Sequence, residues 1–198
     1  MKWLKITAGF AAVLAVVVYM PGLENIAILV MNQFEVTEFE VQDEMLHMNG
    51  EINSQTLGQF EAIIAANPQI TTLVEWVVPG SMDDDTMIAL AYRVRELGLN
   101  THLASESAIY SGGVDLFLAG VERSMEAGAI IGVHSWSDGS KEAKEYPREA
   151  EEHEQNRRYI EVMLGDDAFY WFTIYAAPAD GIYEMKAEEI EQFGLLTR

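Results

Sequence analysis

The sequence predicts an α/β fold made of repeated β-α-β units around a mostly parallel sheet, on three observations. From Met45 onward, strand-like and helix-like segments alternate as β-α-β-α-β-α-β with short connections, which is what right-handed parallel crossovers produce. Residues 70–78 form a nearly continuous β-branched and apolar run, suited to a central strand covered on both faces. A chain of 198 residues with 49% hydrophobic content also has the material for one well-buried core.

The elements follow in order. Residues 34–41 alternate apolar and acidic side chains, the period of a half-exposed strand, and residues 45–52 read as a second strand interrupted at Gly50. Over residues 56–65, Leu57, Phe60, Ile63 and Ile64 share one helical face, and Asn67 with Pro68 stops the helix. After the 70–78 strand, Pro79, Gly80 and Ser81 turn the chain. Asp83, Asp84 and Asp85 then open a helix that runs to Leu97 and ends at Gly98; carboxylates suit the positive end of a helix dipole. Residues 100–104 read as a strand, 111–119 as a small-residue helix closed by Gly120, and 128–134 as another apolar strand. The polar, mixed-charge stretch 135–148 reads as an exposed loop. A charged helix is expected over 149–164 and an aromatic-rich one over 167–176, the latter as core or subunit contact. The tail holds a brief strand from Tyr183 and a helix over 187–193.

The first residues differ from the rest. Lys2 and Lys5 precede a 15-residue apolar or small run, 6–20, that carries no charge. This reads as a signal sequence, with a retained membrane anchor or a buried N-terminal helix as the alternatives. Either of the first two places the remainder outside the cytoplasm, periplasmic or anchored to the membrane and facing outward. The expected organisation is therefore a leader or anchor over 1–32 and a single domain over 33–198.

Charge and cysteine content exclude several classes. Twelve basic against 32 acidic residues give a net charge of −20. That charge, with no dense basic stripe, argues against nucleic acid as a partner. The few cations cluster: Lys141, Lys144, Arg148, Arg157 and Arg158 all fall just after the 128–134 strand. Without cysteine there is no disulfide framework, thiolate nucleophile or Cys-ligated zinc. His47, His102 and His153 lie on two strands and an exposed helix without ligand spacing, so no metal and no cofactor is expected.

Three elements carry chemistry. Ser111-Gly112-Gly113 begins a helix, which puts a hydroxyl at the positive end of its dipole beside free N–H groups, an arrangement suited to a nucleophile that generates an oxyanion. His134 ends an apolar strand at the carboxyl edge of the sheet, where an imidazole can act as general base. Gly80-Ser81 forms a tight turn whose N–H groups could complete an oxyanion hole. The three follow successive strands, so one sheet edge is expected to gather them.

These residues resemble the ClpP/crotonase superfamily, and within it the small exported ClpP-like proteins related to Clp protease proteolytic subunits and signal peptide peptidases. The matching pieces are Leu46-His-Met-Asn-Gly-Glu-Ile, Val78-Pro-Gly-Ser, Ser111-Gly-Gly-Val-Asp-Leu-Phe-Leu-Ala-Gly, Ile131-Gly-Val-His and Ala187-Glu-Glu-Ile-Glu-Gln-Phe-Gly-Leu-Leu. They stand in the family's order over residues 44–197. The resemblance implies a serine peptidase of peptide or protein substrates, with Ser111 as nucleophile, His134 as base and the N–H groups of Gly80 or Ser81 with Gly112 as oxyanion hole. It implies an orienting Asp shortly before the last helix. Asp180 is the nearest carboxylate, although an ungapped alignment of that helix puts Ile182 at the position; Asp166 and Asp167 are further candidates. Relatives form rings, so a homo-oligomer is implied. The resemblance equally admits a catalytically inactive binding or assembly protein, and a crotonase-type acyl-CoA enzyme that stabilises a thioester enolate with the same N–H pair.

Overall fold

The computed structural model describes residues 37–197. The leader or anchor expected over 1–32 and the first residues of the opening strand, 34–36, lie outside the described residues. Strands β1 (Glu38–Gln42) and β2 (Met45–Asn49) form an antiparallel hairpin that pairs Phe39 with Met48 and Val41 with Leu46. Helix α1 (Thr56–Ala66) ends at Asn67, whose N–H donates to the carbonyls of Ile63 and Ile64.

The apolar run at 70–78 is not one strand. It divides at Trp76 into β3 (Thr72–Glu75) and β4 (Val77–Val78), which belong to different sheets. Trp76 is the hand-over point, because its N–H donates to the Met48 carbonyl at 2.9 Å while its own carbonyl accepts from the Ala108 N–H at 2.7 Å. Helix α2 (Asp84–Glu96) follows, with the Asp83 side chain accepting from the Thr86 N–H as a cap.

The chain continues through β5 (Asn100–Leu103), β6 (Ala108–Tyr110), α3 (Gly112–Leu118), β7 (Arg123–Met125) and β8 (Ile130–Val133). Two 3₁₀ turns, Ala143–Glu145 and Glu151–His153, lead to α4 (Glu154–Leu164) and α5 (Ala168–Ala176). Strand β9 (Tyr183–Glu184) and helix α6 (Ala187–Gln192) complete the described elements.

The strands form two mostly parallel sheets rather than the single sheet expected. One has the order β1-β2-β3-β5-β7 and is parallel except for β1; the other has the order β4-β6-β8-β9 and is parallel except for β9. Leu46, Leu73 and Leu103 of the first sheet, Val78, Ile109 and Ile131 of the second, and Leu90, Val94, Phe117 and Leu118 of the helices are all buried in one core. A Cβ added at Gly120 would lie 2.2 Å from Thr101 Oγ1, so the end of α3 rests directly on β5. The carbonyls left over at that helix end are met by arginines: Arg95 donates to Leu118 and Ala119, and the buried Arg123 guanidinium donates to Gly120, Gly194 and Leu195. Arg123 thereby ties the C-terminal segment to the helix that begins at Ser111.

The cationic stretch 141–158 is largely paired. Lys144 meets Glu142, and Arg157 meets Glu154, Glu161 and Asp167. Lys141 lies over the Tyr146 ring and Arg148 over Trp171. His153, expected on an exposed helix, is 1% exposed, inside a ring of Trp136, Tyr146, Tyr170 and Trp171. Among the described residues no helix is long and apolar enough to cross a membrane, and no group of three or more His, Asp or Glu side chains is placed to hold a metal ion.

Candidate active site

The second sheet gathers the three elements expected to act together. Parallel pairing sets Val78 beside Ile109 and Tyr110 beside Gly132. The chain therefore leaves β4, β6 and β8 at one edge, toward Gly80-Ser81, Ser111-Gly112 and His134 respectively. Ser111 has φ 51° and ψ −124°, a left-handed conformation that a residue with a side chain rarely adopts and that is usually held by its surroundings at functional sites. Here the Ser111 N–H donates to the Gly132 carbonyl at 3.2 Å, and the Ser111 carbonyl accepts the Val114 and Asp115 N–H groups in the first turn of α3.

The turn after β4 is pressed against Ser111 and the first residue of α3. A Cβ at Gly80 would sit 3.3 Å from Ser111 Cβ and 3.8 Å from its Oγ; one at Gly112 would sit 2.6 Å from Ser81 Cβ and 3.1 Å from the Ser81 nitrogen. Only glycine at 112 permits that approach. Among the described residues the N–H groups of Gly80 and Ser81 donate to no backbone carbonyl, and the N–H of Gly112, first residue of α3, has no partner within the helix. The Ser81 and Gly112 donors thus meet beside the Ser111 hydroxyl.

Ser111, Gly112 and His134 line one cavity of about 70 Å³, together with Asp84, Asp115 and Tyr170 among others. No hydrogen bond joins Ser111 to His134 among the described residues. The His134 Nδ1 is buried and has no hydrogen-bond partner.

The third member expected from the resemblance is not brought to this cavity. Asp180 is exposed, in a turn closed by the Gly181 N–H to the Pro178 carbonyl. It neither lines the cavity nor bonds to His134. Its surroundings are the loop bearing Lys144 and Glu142, the latter accepting the Ala179 N–H. Asp166 accepts from the Ala168 N–H and Asp167 is paired with Arg157, so neither serves. Strand β9 pairs Glu184 with Gly132 and Tyr183 with Val133; one further step puts Ile182 opposite His134. That position, the one an ungapped alignment of the last helix gives, is occupied by an apolar side chain.

The cavity contains a carboxyl that the motif reading passed over. Asp115 lies one helical turn after Ser111. Burial, reinforced by the neighbouring Asp84 carboxylate, pushes its acid up to about 7. Asp84 is itself raised by desolvation, against the lowering effect of a Ser81 hydroxyl hydrogen bond. On the far wall the Tyr170 hydroxyl accepts from Trp136 Nε1 at 2.9 Å and meets His153 Nδ1 at 2.6 Å. Burial raises its phenol to about 12. The signal for Asp115 was present: it is the one charged residue in an otherwise apolar helix, among Val114, Leu116, Phe117 and Leu118.

No protein-family model and no curated protein matches the sequence. Solved structures do. The chain is similar to a membrane-bound stomatin-specific protease, solved as a lysine-to-alanine variant with a substrate peptide, at 17% identity and TM-score 0.53, covering 77% of this chain and 71% of that one. It is similar to a methylmalonyl-CoA decarboxylase, at 9% identity and TM-score 0.52, over 83% of this chain and 66% of that one. An enoyl-CoA hydratase/isomerase family protein from Silicibacter pomeroyi gives 10% identity and TM-score 0.53 over 82% and 74%. Identities this low establish the architecture alone: the chain has the ClpP/crotonase fold.

Proposed function

We propose that the chain is a serine hydrolase of peptide bonds. The observation that carries this reading is the strained Ser111 at the start of α3, with the Gly80-Ser81 turn packed on Gly112 and His134 on the same cavity. His134 takes the proton from the Ser111 hydroxyl as Oγ bonds to the substrate carbonyl carbon. The carbonyl electron pair moves onto oxygen, where the Ser81 and Gly112 N–H groups receive it. His134 then returns the proton to the leaving amine as the C–N bond breaks, and water attacks the acyl-enzyme by the same route. The fold shared with a protease that was solved with a peptide supports the substrate class.

The lysines and uncharged run at 2–20 support action outside the cytoplasm, by export or anchoring. A second reading, a catalytically inactive binding or assembly protein of the same fold, is favoured by one observation: His134 Nδ1 has no orienting carboxylate. An acyl-CoA reaction is the third, on the strength of the CoA-enzyme neighbours.

A fluorophosphonate serine probe on the full chain separates them. Labelling that Ser111→Ala abolishes supports the hydrolase. Absence of labelling in folded wild-type protein sinks that reading in favour of the inactive one, and calorimetric binding of a CoA thioester by an unlabelled protein favours the third.

A further inference from the structure

A base such as His134 becomes an imidazolium as it accepts the Ser111 proton, and hydrolases of this type stabilise that cation with a carboxylate. Here the strand position opposite His134 holds Ile182, and Asp180 lies elsewhere. The cavity itself supplies carboxyls from the other side. Asp115 and Asp84 line it with Ser111 and His134. Asp84 belongs to the oxyanion turn through the Ser81 hydroxyl, whereas the Asp115 side chain makes no hydrogen bond or ion pair among the described residues. An acid in a buried apolar helix, without a structural partner and facing a nucleophile, is costly to fold and is characteristic of a functional group.

We propose, on the basis of the hydrolase reading above, that Asp115 is the positioning carboxylate of this site, stabilising across the cavity the imidazolium that His134 becomes. The nucleophile and the carboxylate that supports its base then lie a turn apart along one helix, and the strand position opposite the base is left to the apolar Ile182. The groups facing Asp115 fit the role. Asp84 on α2 raises its acid, the Tyr159 hydroxyl on α4 donates to its backbone carbonyl rather than its carboxyl, and Tyr170 on α5 stands across the cavity. Arg95 and Glu75 act on Tyr159 behind it. Burial and the Asp84 carboxylate push the Asp115 acid up to about 7, so the carboxylate that would support an imidazolium forms as pH rises through that value.

The test measures the rate of Ser111 labelling by a fluorophosphonate from pH 5.5 to 9 in wild type, Asp115→Asn and Asp115→Glu. Asp115→Asn is expected to react about tenfold more slowly at pH 8 and to lose the inflection near 7, with Asp115→Glu recovering part of the rate. A second arm needs no catalysis. The Asp115 carboxyl is titrated by isotope-edited NMR in wild type and in His134→Lys, where a fixed cation at the position of the base moves its midpoint down by about one unit. A wild-type rate and profile in Asp115→Asn, or an Asp115 titration unmoved in His134→Lys, overturns the proposal. Failure of wild-type Ser111 to label at all overturns the hydrolase reading instead, and the titration still decides whether the two side chains are coupled.

Discussion

Ile182 stands opposite His134, one step beyond the Val133–Tyr183 pair that closes the second sheet. It is 50% exposed, and its Cγ2 is 2.8 Å from where a Cβ at Gly132 would be. An apolar side chain there leaves the buried His134 Nδ1 without a partner. Ile182→Asp puts a carboxylate at that edge with access to water, so its desolvation cost is small. The variant is expected to label with a fluorophosphonate about tenfold faster than wild type, a fraction of what an orienting carboxylate contributes in serine hydrolases. Asp180→Asn is expected to leave the rate unchanged. Equal rates in folded Ile182→Asp and wild type would mean that the Nδ1 environment is not what limits the base.

The Tyr170 hydroxyl holds the far wall together. It accepts from Trp136 Nε1, a donor only, so its own proton is free for His153 Nδ1. Tyr170→Phe strands both partners, and unsatisfied buried groups cost about 1–3 kcal/mol each. A loss of about 2–4 kcal/mol in urea unfolding, at an unchanged slope, is the expected result. A loss below about 0.5 kcal/mol would show that water replaces the hydroxyl.

The sequence made the β-α-β order, most helix ends and the Ser111, His134 and Gly80-Ser81 elements legible, because each rests on local chemistry: caps, turn residues and apolar runs. Three features were not legible. The split of 70–78 between two sheets turns on one residue, Trp76, whose two backbone groups bond to different strands. Strands β6 and β7 have three residues each, too few for alternation to register. Asp115 was read as part of a motif spacing and not as a charge in an apolar helix, and only the tertiary cavity gives that charge a neighbour.

Glu75 makes a pH-dependent claim on stability. It is fully buried on β3, both carboxyl oxygens lack partners, and burial pushes its acid well above the usual range. With the folded pKa above the unfolded value of about 4.3, the native state keeps a proton that the unfolded chain has released. Stability is therefore full below the unfolded pKa and is lost as pH rises through the folded one. Asp115 adds a slope of the same sign between about 4 and 7. Glu75→Gln removes the Glu75 contribution, so the advantage of the variant in melting temperature over wild type is expected to be small near pH 4 and to grow toward pH 8. Parallel curves for the two proteins between those values would show that Glu75 does not titrate in the folded protein.

Gly112 tests whether the two backbone donors form an oxyanion hole. A Cβ there would come within 2.6 Å of Ser81 Cβ and 3.1 Å of the Ser81 nitrogen, closer than such atoms approach, and the obstacles are a short side chain and backbone. The Ser81 turn, held on its other side by the bridge to Ile52 and by the Asp83 N–H on the Ser81 hydroxyl, must shift away from α3. Overpacking of this kind costs about 1–3 kcal/mol, which a core of this size tolerates. The chemical cost is larger, since misplacing one oxyanion donor lowers the rate by about 10²–10³. Gly112→Ala is therefore expected to remain folded, with a modest drop in melting temperature and fluorophosphonate labelling slowed by at least about a hundredfold. A folded variant that labels at the wild-type rate would show that the Ser81 and Gly112 N–H groups do not hold the developing charge.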